Sequence, residues 1–245
     1  MGRAFEFRKA RKMKRWDRMS KQFTRIGKEI VMAVKSGGPD PDANSRLRVC
    51  IQNAKGVNMP KDRVDAAIKR AQGKEENDYQ EVVYEGYGPH GVAVLVETAT
   101  DNVNRTVANV RMHFNRTGGE LGRTGSFDFI FERKGVFHLN GEGLDLEELE
   151  LDLIDFGLES IDKDEEENEI IIQTSFPDFG AMQKALEERG LNVTTSELQR
   201  YPTVLKELSP EQQEDMAKLL DRLEEDDDVQ AVYHNMKEDE EAEEE

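Results

Sequence analysis

The chain has 245 residues, 36% hydrophobic and 35% charged, with one cysteine and a formal net charge of −18. This length fits one large domain or two to three small ones, the lone Cys50 excludes an internal disulfide framework and suits a reducing compartment, and neither a signal-peptide core nor an apolar run near the ~20 residues of a membrane span is present. The charge is polarised: residues 1–74 hold 20 Lys and Arg against 7 Asp and Glu, a net of +13, whereas residues 75–245 hold 14 against 45, a net of −31. Such a split suggests a nucleic-acid-binding module joined to an acidic body.

Residues 1–16 carry Arg3, Arg8, Lys9, Arg11, Lys12, Lys14 and Arg15 against Glu6 alone, which predicts a basic arm that is mobile when free. Met19, Phe23, Ile26, Ile30 and Ala33 recur at helical spacing and predict a helix over 17–36. The loop Ser36-Gly37-Gly38-Pro39-Asp40-Pro41 ends it. A second helix is expected from Asn44 to Lys55, with Leu47, Ile51 and Ala54 inward, and a third from Pro60, with Val64, Ala67, Ile68 and Ala71 inward. Short amphipathic helices bury their faces only against one another, so residues 17–78 read as a basic helical domain.

From Tyr79 the period changes to two. Val82–Tyr84 and Val92, Val94 and Val96 flank Gly86-Tyr87-Gly88-Pro89-His90-Gly91 as a hairpin. Asn102 caps a helix with Val103, Val107, Val110 and Phe114 as its apolar stripe; after a glycine-rich loop, Phe127, Phe129 and Phe131 alternate as a further strand. Residues 135–202 show the order βαββαβ, which suggests a ferredoxin-like sandwich with Asp162–Asn168 as a solvated hairpin loop. Thereafter a strand is expected at Thr203–Glu207, a helix at Glu211–Leu223 behind Ser209-Pro210, and a strand at Val229–Asn235. The strands of 79–134 leave a sheet face poorly covered, so this last piece is expected to return to them. The fold class expected is α+β in three domains, a helical N-terminal one followed by two α/β sandwich (ferredoxin-like) domains. The boundaries are an arm at 1–16, the helical domain at 17–78, a discontinuous α/β domain at 79–134 plus 203–236, an inserted domain at 135–202 and a disordered acidic tail at 237–245.

The candidate site is basic. Arg18, Lys21, Arg25, Lys28 and Lys35 form a stripe on the first helix, where only Asp17 and Glu29 interrupt the bases of 17–36. An ordinary solvated helix mixes signs, so one-signed charge of this extent favours phosphate. The arm residues Arg8, Lys9, Arg11, Lys12, Lys14 and Arg15 extend the surface, as do Arg46, Arg48, Lys55, Lys61, Lys69 and Arg70. Arg105, Arg111 and Arg116 on the middle helix stand out in an acidic region, with pairing to Glu97, Asp101 or Glu120 the equally weighted alternative. The loop holding Arg123 could cradle a phosphate on its backbone amides, but it leads into a strand rather than a helix N-terminus, so a flexible connector is favoured over nucleotide binding, while a contact of Arg123 with an RNA or DNA backbone stays open. His90, His113, His138 and His234 are scattered, Cys50 reads as a packing residue, and no nucleophile or cofactor fingerprint is found; no metal, cofactor or catalytic residue is expected.

Lys35-Ser-Gly-Gly-Pro-Asp-Pro with Asn44-Ser-Arg-Leu-Arg, then Asn58-Met-Pro-Lys-Asp, Tyr84-Glu-Gly-Tyr-Gly-Pro, Thr100-Asp-Asn-Val-Asn-Arg-Thr and Phe131-Glu-Arg-Lys-Gly together resemble YebC-like proteins, in order over about residues 17–236. That family includes bacterial members and a mitochondrial translational activator of cytochrome oxidase. The resemblance implies three domains and no catalytic activity; bacterial relatives are usually labelled DNA-binding transcriptional regulators, and others look like translation factors acting on the ribosome. The start Gly2-Arg3-Ala4-Phe5-Glu6-Phe7-Arg8-Lys9 departs from the family's usual GHSKWxxIKxRK, and the acidic tail after Met236 is an addition. The expectation is therefore a cytoplasmic, non-enzymatic regulator of gene expression whose partner is nucleic acid, as DNA or as ribosomal RNA on the ribosome, with no membrane and no small-molecule substrate. The alternatives are a ribosome-binding translation factor and a protein-interaction adaptor. Absence of a short helix-turn-helix with a clear recognition helix argues mildly for RNA.

Overall fold

The computed structural model describes residues 3–73, 78–164 and 168–237, with side chains from Met19 onward; the expected tail from residue 238 and loop residues 165–167 lie outside the described residues. In chain order the elements are α1 (Arg3–Gly37), α2 (Ser45–Gly56), α3 (Lys61–Ala71), β1 (Gln80–Tyr87), β2 (Ala93–Thr100), α4 (Val103–Arg116), β3 (Glu120–Leu121), β4 (Phe131–Asn140), α5 (Leu146–Leu153), β5 (Leu158–Asp164), β6 (Glu169–Ser175), α6 (Phe179–Glu188), β7 (Val193–Pro202), α7 (Pro210–Glu224) and β8 (Val229–His234). They fall into two units, one of residues 1–76 and 134–198, the other of residues 77–133 and 199–245.

In the first unit α1 packs on α2 and α3. The buried set is Ile26, Ile30, Val31, Ala33 and Val34 from α1, Leu47, Cys50 and Ala54 from α2, and Val64, Ala67 and Ala71 from α3. The break expected near residue 16 is absent: the helix runs from Arg3. Residues 3–26 contain no Pro or Gly and many of the better helix formers, so nothing in the backbone stops it. Buried Asn44 joins α1 to α2. Its side-chain amide donates to the Ala33 and Gly38 carbonyls at 2.7 and 2.8 Å, and its side-chain oxygen accepts from the Leu47 amide at 3.1 Å as the N-cap of α2. A Cβ on Gly37 would lie 2.7 Å from that side chain.

The same unit holds an antiparallel sheet of order β5-β6-β4-β7. α5 and α6 contribute Leu149, Leu153, Met182, Ala185 and Leu186 to one core with Phe137, Leu139, Ile170 and Ile172. The helical and inserted segments pack against each other through the edge strand β7. The Asn53 amide donates to the Ser196 carbonyl at 2.9 Å and its oxygen accepts from the Ser196 amide at 2.8 Å, as a neighbouring strand's peptide would. The Gln52 side chain donates to the Val193 carbonyl at 2.8 Å. An edge whose peptide groups are taken in this way no longer offers a template for strand addition.

In the second unit the sheet order is β3-β1-β2-β8. β8 returns to β2 with Val94 opposite His234 and Val96 opposite Val232. α4 and α7 cover one face, where Val110, Phe114, Met216, Leu219 and Leu223 meet Tyr84, Val92, Val94 and Val96. α7 is held at its start by a capping box between Ser209 and Gln212. The other face carries Ala93 and Leu95, covered by Phe127 and Phe131.

Three local expectations are corrected in this unit. Glu120 and Leu121, read as loop, form β3 by pairing with Tyr87 and Gly86. Phe127 and Phe129 are not strand: the Ile130 and Phe131 amides both donate to the Phe127 carbonyl at 2.9 and 3.1 Å, closing a turn that buries Phe127 and leaves Phe129 89% exposed. Thr203–Glu207 is not a strand either but an isolated bridge of Lys206 to Met236. Asn235 organises it, accepting from the Ala93 amide at 2.8 Å and donating to the Val204 carbonyl at 3.1 Å.

Candidate nucleic-acid interface

The basic residues do different things in different places. On α1, Arg8, Lys9, Arg11, Lys12, Lys14, Arg15 and Arg18 precede the described side chains. Lys21, Arg25 and Lys35 are half-buried, and Lys28 is only 7% exposed. The expected open stripe is therefore interrupted at Lys28: it keeps the helical spacing from Arg25 and Lys35, but its side chain is buried. Among the described side chains of the helical segment, exposed bases lie on α2 and α3, where Arg46, Arg48, Lys55, Lys61, Lys69 and Arg70 are all exposed. Arg48 donates to the Pro41 carbonyl at 3.3 Å and stands 3.9 Å from Glu187. Arg63, which the sequence reading passed over, has its guanidinium 5.5 Å from the ring centroid of Phe23. Seven residues separate Arg63 from Arg70, which puts both on one side of α3; Phe23 lies on α1, forty residues before Arg63, so no local spacing signalled this contact.

α2 and α3 are joined by the short turn 57–60, with Asn58 at a φ of 57° and the Met59 amide donating to the Ala54 carbonyl at 2.8 Å. The outer side of α3 mixes its bases with exposed Asp62 and Asp65.

In the second unit Arg105 is engaged within the fold. Its guanidinium donates to Asp228 at 2.7 Å and to Asp101 at 2.8 Å. Of the pairings the sequence offered, Asp101 is thus realised; Asp228, 123 residues on, was not foreseeable by spacing. The buried Asp228 carboxylate also accepts from the hydroxyls of Thr100 and Thr106 at 3.2 and 2.8 Å. The hydrogen bond it donates to Asp228, then that to Asp101, raises the Arg105 pKa, so the guanidinium is held charged. Burial raises the Tyr84 phenol, with the charge of Asp228 adding to it. Arg111 and Arg116 on α4 are exposed, as is Arg123.

The glycine-rich loop has its amides filled from within. Gly125, Ser126 and Phe127 donate backbone N–H groups to the buried Glu85 carboxylate at 3.0, 2.7 and 3.0 Å. The loop is therefore neither a free phosphate cradle nor a loose connector, because an internal anion occupies the nest. Glu85 was missed; the signal was an acid inside an otherwise apolar strand, Val83-Tyr84-Glu85-Gly86. Gly86 and Gly88 serve close packing: a Cβ on Gly86 would lie 2.6 Å from the Glu120 carbonyl oxygen, and one on Gly88 2.7 Å from the Met216 sulfur.

Among the described residues no group of three or more His, Cys, Asp or Glu side chains is placed to hold a metal ion. His90, His113 and His138 face Asp215, Asp226 and Glu169 at 3.2, 3.5 and 2.9 Å, three separate pairs rather than a cluster. Cys50 is buried. No described helix is long and apolar enough to cross a membrane.

Known proteins share this architecture. A conserved hypothetical protein from Aquifex aeolicus, known from its crystal structure, superposes with a TM-score of 0.78 at 37% identity over 91% of each chain. A protein of Cytophaga hutchinsonii named probable transcriptional regulatory protein is 63% identical over 97% of this chain and 99% of its own length. Proteins of the same name from Parabacteroides distasonis and Myxococcus xanthus are 56% and 55% identical, over 100% and 96% of this chain and the full length of each. The family description "TACO1/YebC protein N-terminal domain" matches residues 3–74, and "TACO1/YebC second and third domain" matches residues 79–236. The chain belongs to the TACO1/YebC family.

Proposed function

We propose that this protein is a non-enzymatic, nucleic-acid-binding regulator of gene expression acting in the cytoplasm. The observation that carries the reading is the exposed basic surface of α2 and α3, in a chain whose net charge is otherwise strongly negative. Bases held out in water on a rigid helical scaffold gain most from a polyphosphate backbone, which releases counterions when neutralised. Its relatives' name, probable transcriptional regulatory protein, agrees with a regulatory role. In this reading Lys55, Lys61, Lys69, Arg46 and Arg70 contact phosphate, extended by the basic start of α1. Arg111, Arg116 and Arg123 are secondary contacts. Lys28 and Arg105 support the fold instead, since one is buried and the other is bonded to Asp228 and Asp101.

The target is DNA at regulated promoters or ribosomal RNA on the ribosome. One feature favours RNA: Asp62 and Asp65 share the outer side of α3 with its bases, which suits contact with a folded backbone better than insertion of a recognition helix into the major groove. Crosslinking in cells followed by sequencing of bound DNA and RNA tests both forms. Reads concentrated at promoters establish a direct transcription regulator, and reads concentrated in ribosomal RNA a translation factor. Reads at neither, or reads unaffected by Lys55→Glu, Lys61→Glu and Lys69→Glu together, would overturn the nucleic-acid reading.

A further inference from the structure

α5 has two apolar sides. Leu149 and Leu153 face its own core. On the opposite side Leu151 is 74% exposed and Ile154, in the 3-10 turn that follows, is 55% exposed. The register that pairs Leu158 with Thr174 brings Phe176, 45% exposed, to the same end of the sheet as that turn. Single exposed apolar side chains are ordinary, but a group at one end of a sandwich is less so.

The charge around them is one-signed. Residues 145–156 hold Asp145, Glu147, Glu148, Glu150, Asp152 and Asp155 and no Lys or Arg. Asp145, Glu147 and Glu148 are accounted for by the helix itself: Asp145 accepts from the Glu147 and Glu148 amides at 3.0 and 3.1 Å, and acids suit a helix N-terminus. Glu150, Asp152 and Asp155 are not. They lie at the C-terminal end, where the helix field opposes negative charge and where α5 carries no base in its last turn. Arg189, from beyond α6, is the neighbouring base. It donates to the Asp152 carbonyl at 3.0 Å, lies 3.8 Å from the Asp152 carboxylate and sits 4.8 Å from the Phe156 ring centroid.

We infer that the outer face of α5, centred on Leu151 and Ile154 with Phe176 beside them, docks a basic amphipathic helix of a protein partner. An acidic rim around apolar anchors is complementary to lysine or arginine flanking leucine-type side chains at helical spacing, and it repels nucleic acid. This surface is independent of the basic helices, so its failure leaves the nucleic-acid reading intact and the reverse also holds.

The test uses the full chain and a synthetic helical peptide of leucine and lysine, alongside a second peptide with serine in place of leucine. Binding is read as chemical-shift changes at Leu151, Ile154 and Phe176 and as an affinity at two salt concentrations. The expected result is binding of the leucine peptide at this face, weakened by salt and by about tenfold or more in Leu151→Ser with Ile154→Ser, with the serine peptide as weak as that variant. Because both side chains are exposed, the variant should melt as the parent does; if it does not, Glu150→Gln with Asp155→Asn replaces it, and loss of peptide affinity is again expected. No binding by the parent, or equal binding by parent and variant, would each overturn the inference.

Discussion

The second unit and the helical part of the first treat charge in opposite ways. In the second unit Glu85 and Asp228 are buried, and each gathers donors from segments distant in sequence: the amides of Gly125, Ser126 and Phe127 for one, Arg105, Thr100 and Thr106 for the other. In the helical part Lys55, Lys61 and Lys69 stand in water on helices whose cores are made by other residues. Charge inside the fold fixes loops and helix ends; charge outside it is available to a partner. The difference also separates what sequence motifs report from where binding takes place. Asn44, Glu85 and the Thr100–Thr106 segment belong to the motifs by which the family is recognised, and each is engaged in holding the fold.

Breaking the buried side of this comparison should have the largest effect. Asp228→Ala strips Arg105 of its buried partner and removes the carboxylate acceptor of the Thr100 hydroxyl; a loss of about 3 kcal/mol in denaturant unfolding is expected, with nucleic-acid affinity of the folded fraction little changed. Breaking the exposed side should do the reverse. Lys55→Glu, Lys61→Glu and Lys69→Glu together should lower affinity by about a hundredfold at low salt and flatten its salt dependence, while stability shifts by only about 0.5 kcal/mol per site.

Glu85→Gln keeps the shape but weakens the acceptor for three amides; about 2 kcal/mol of destabilisation is expected, with faster amide exchange confined at first to Gly125, Ser126 and Phe127. Asn53→Ala should cost about 1 kcal/mol, since it exposes the Ser196 peptide at the edge of β7. The smallest effect concerns the surface. Hydrogen bonds from Lys218 and then His90 lower the Asp215 pKa below its ordinary 3.8. A depressed carboxylate adds stability that is present above its unfolded value and lost as pH falls through the folded one. Asp215→Asn should therefore lower Tm slightly at neutral pH and not at all in strong acid.

Much of the fold was legible because it rests on local physics. The spacing of Ile26, Ile30 and Ala33, the caps at Asn44, Asn102 and Ser209, and the alternation through Val92, Val94 and Val96 all work within a few residues. Where two local signals competed, the reading failed. The Phe127, Phe129, Phe131 alternation has the apolar spacing of a strand, yet hydrogen bonds to the Phe127 carbonyl make it a turn that buries Phe127 and exposes Phe129. The site was legible only in outline. Composition located basic charge in the first 74 residues. It could not tell Lys28 from Lys55, because periodicity ranks positions around one helix and not by what packs against them.

The sequence by itself determined that an N-terminal basic helical segment precedes an acidic α+β body, because helix periodicity, strand alternation, capping and charge are properties of neighbouring residues. Tertiary structure decided which charges remain available. Asp228 meets Arg105 across 123 residues and Glu85 reaches Gly125 across 40, and Asn53 closes the edge of β7 across 143. Such pairings depend on which surfaces come together in three dimensions, and the free energy of burying a polar group is set by the partner it finds there.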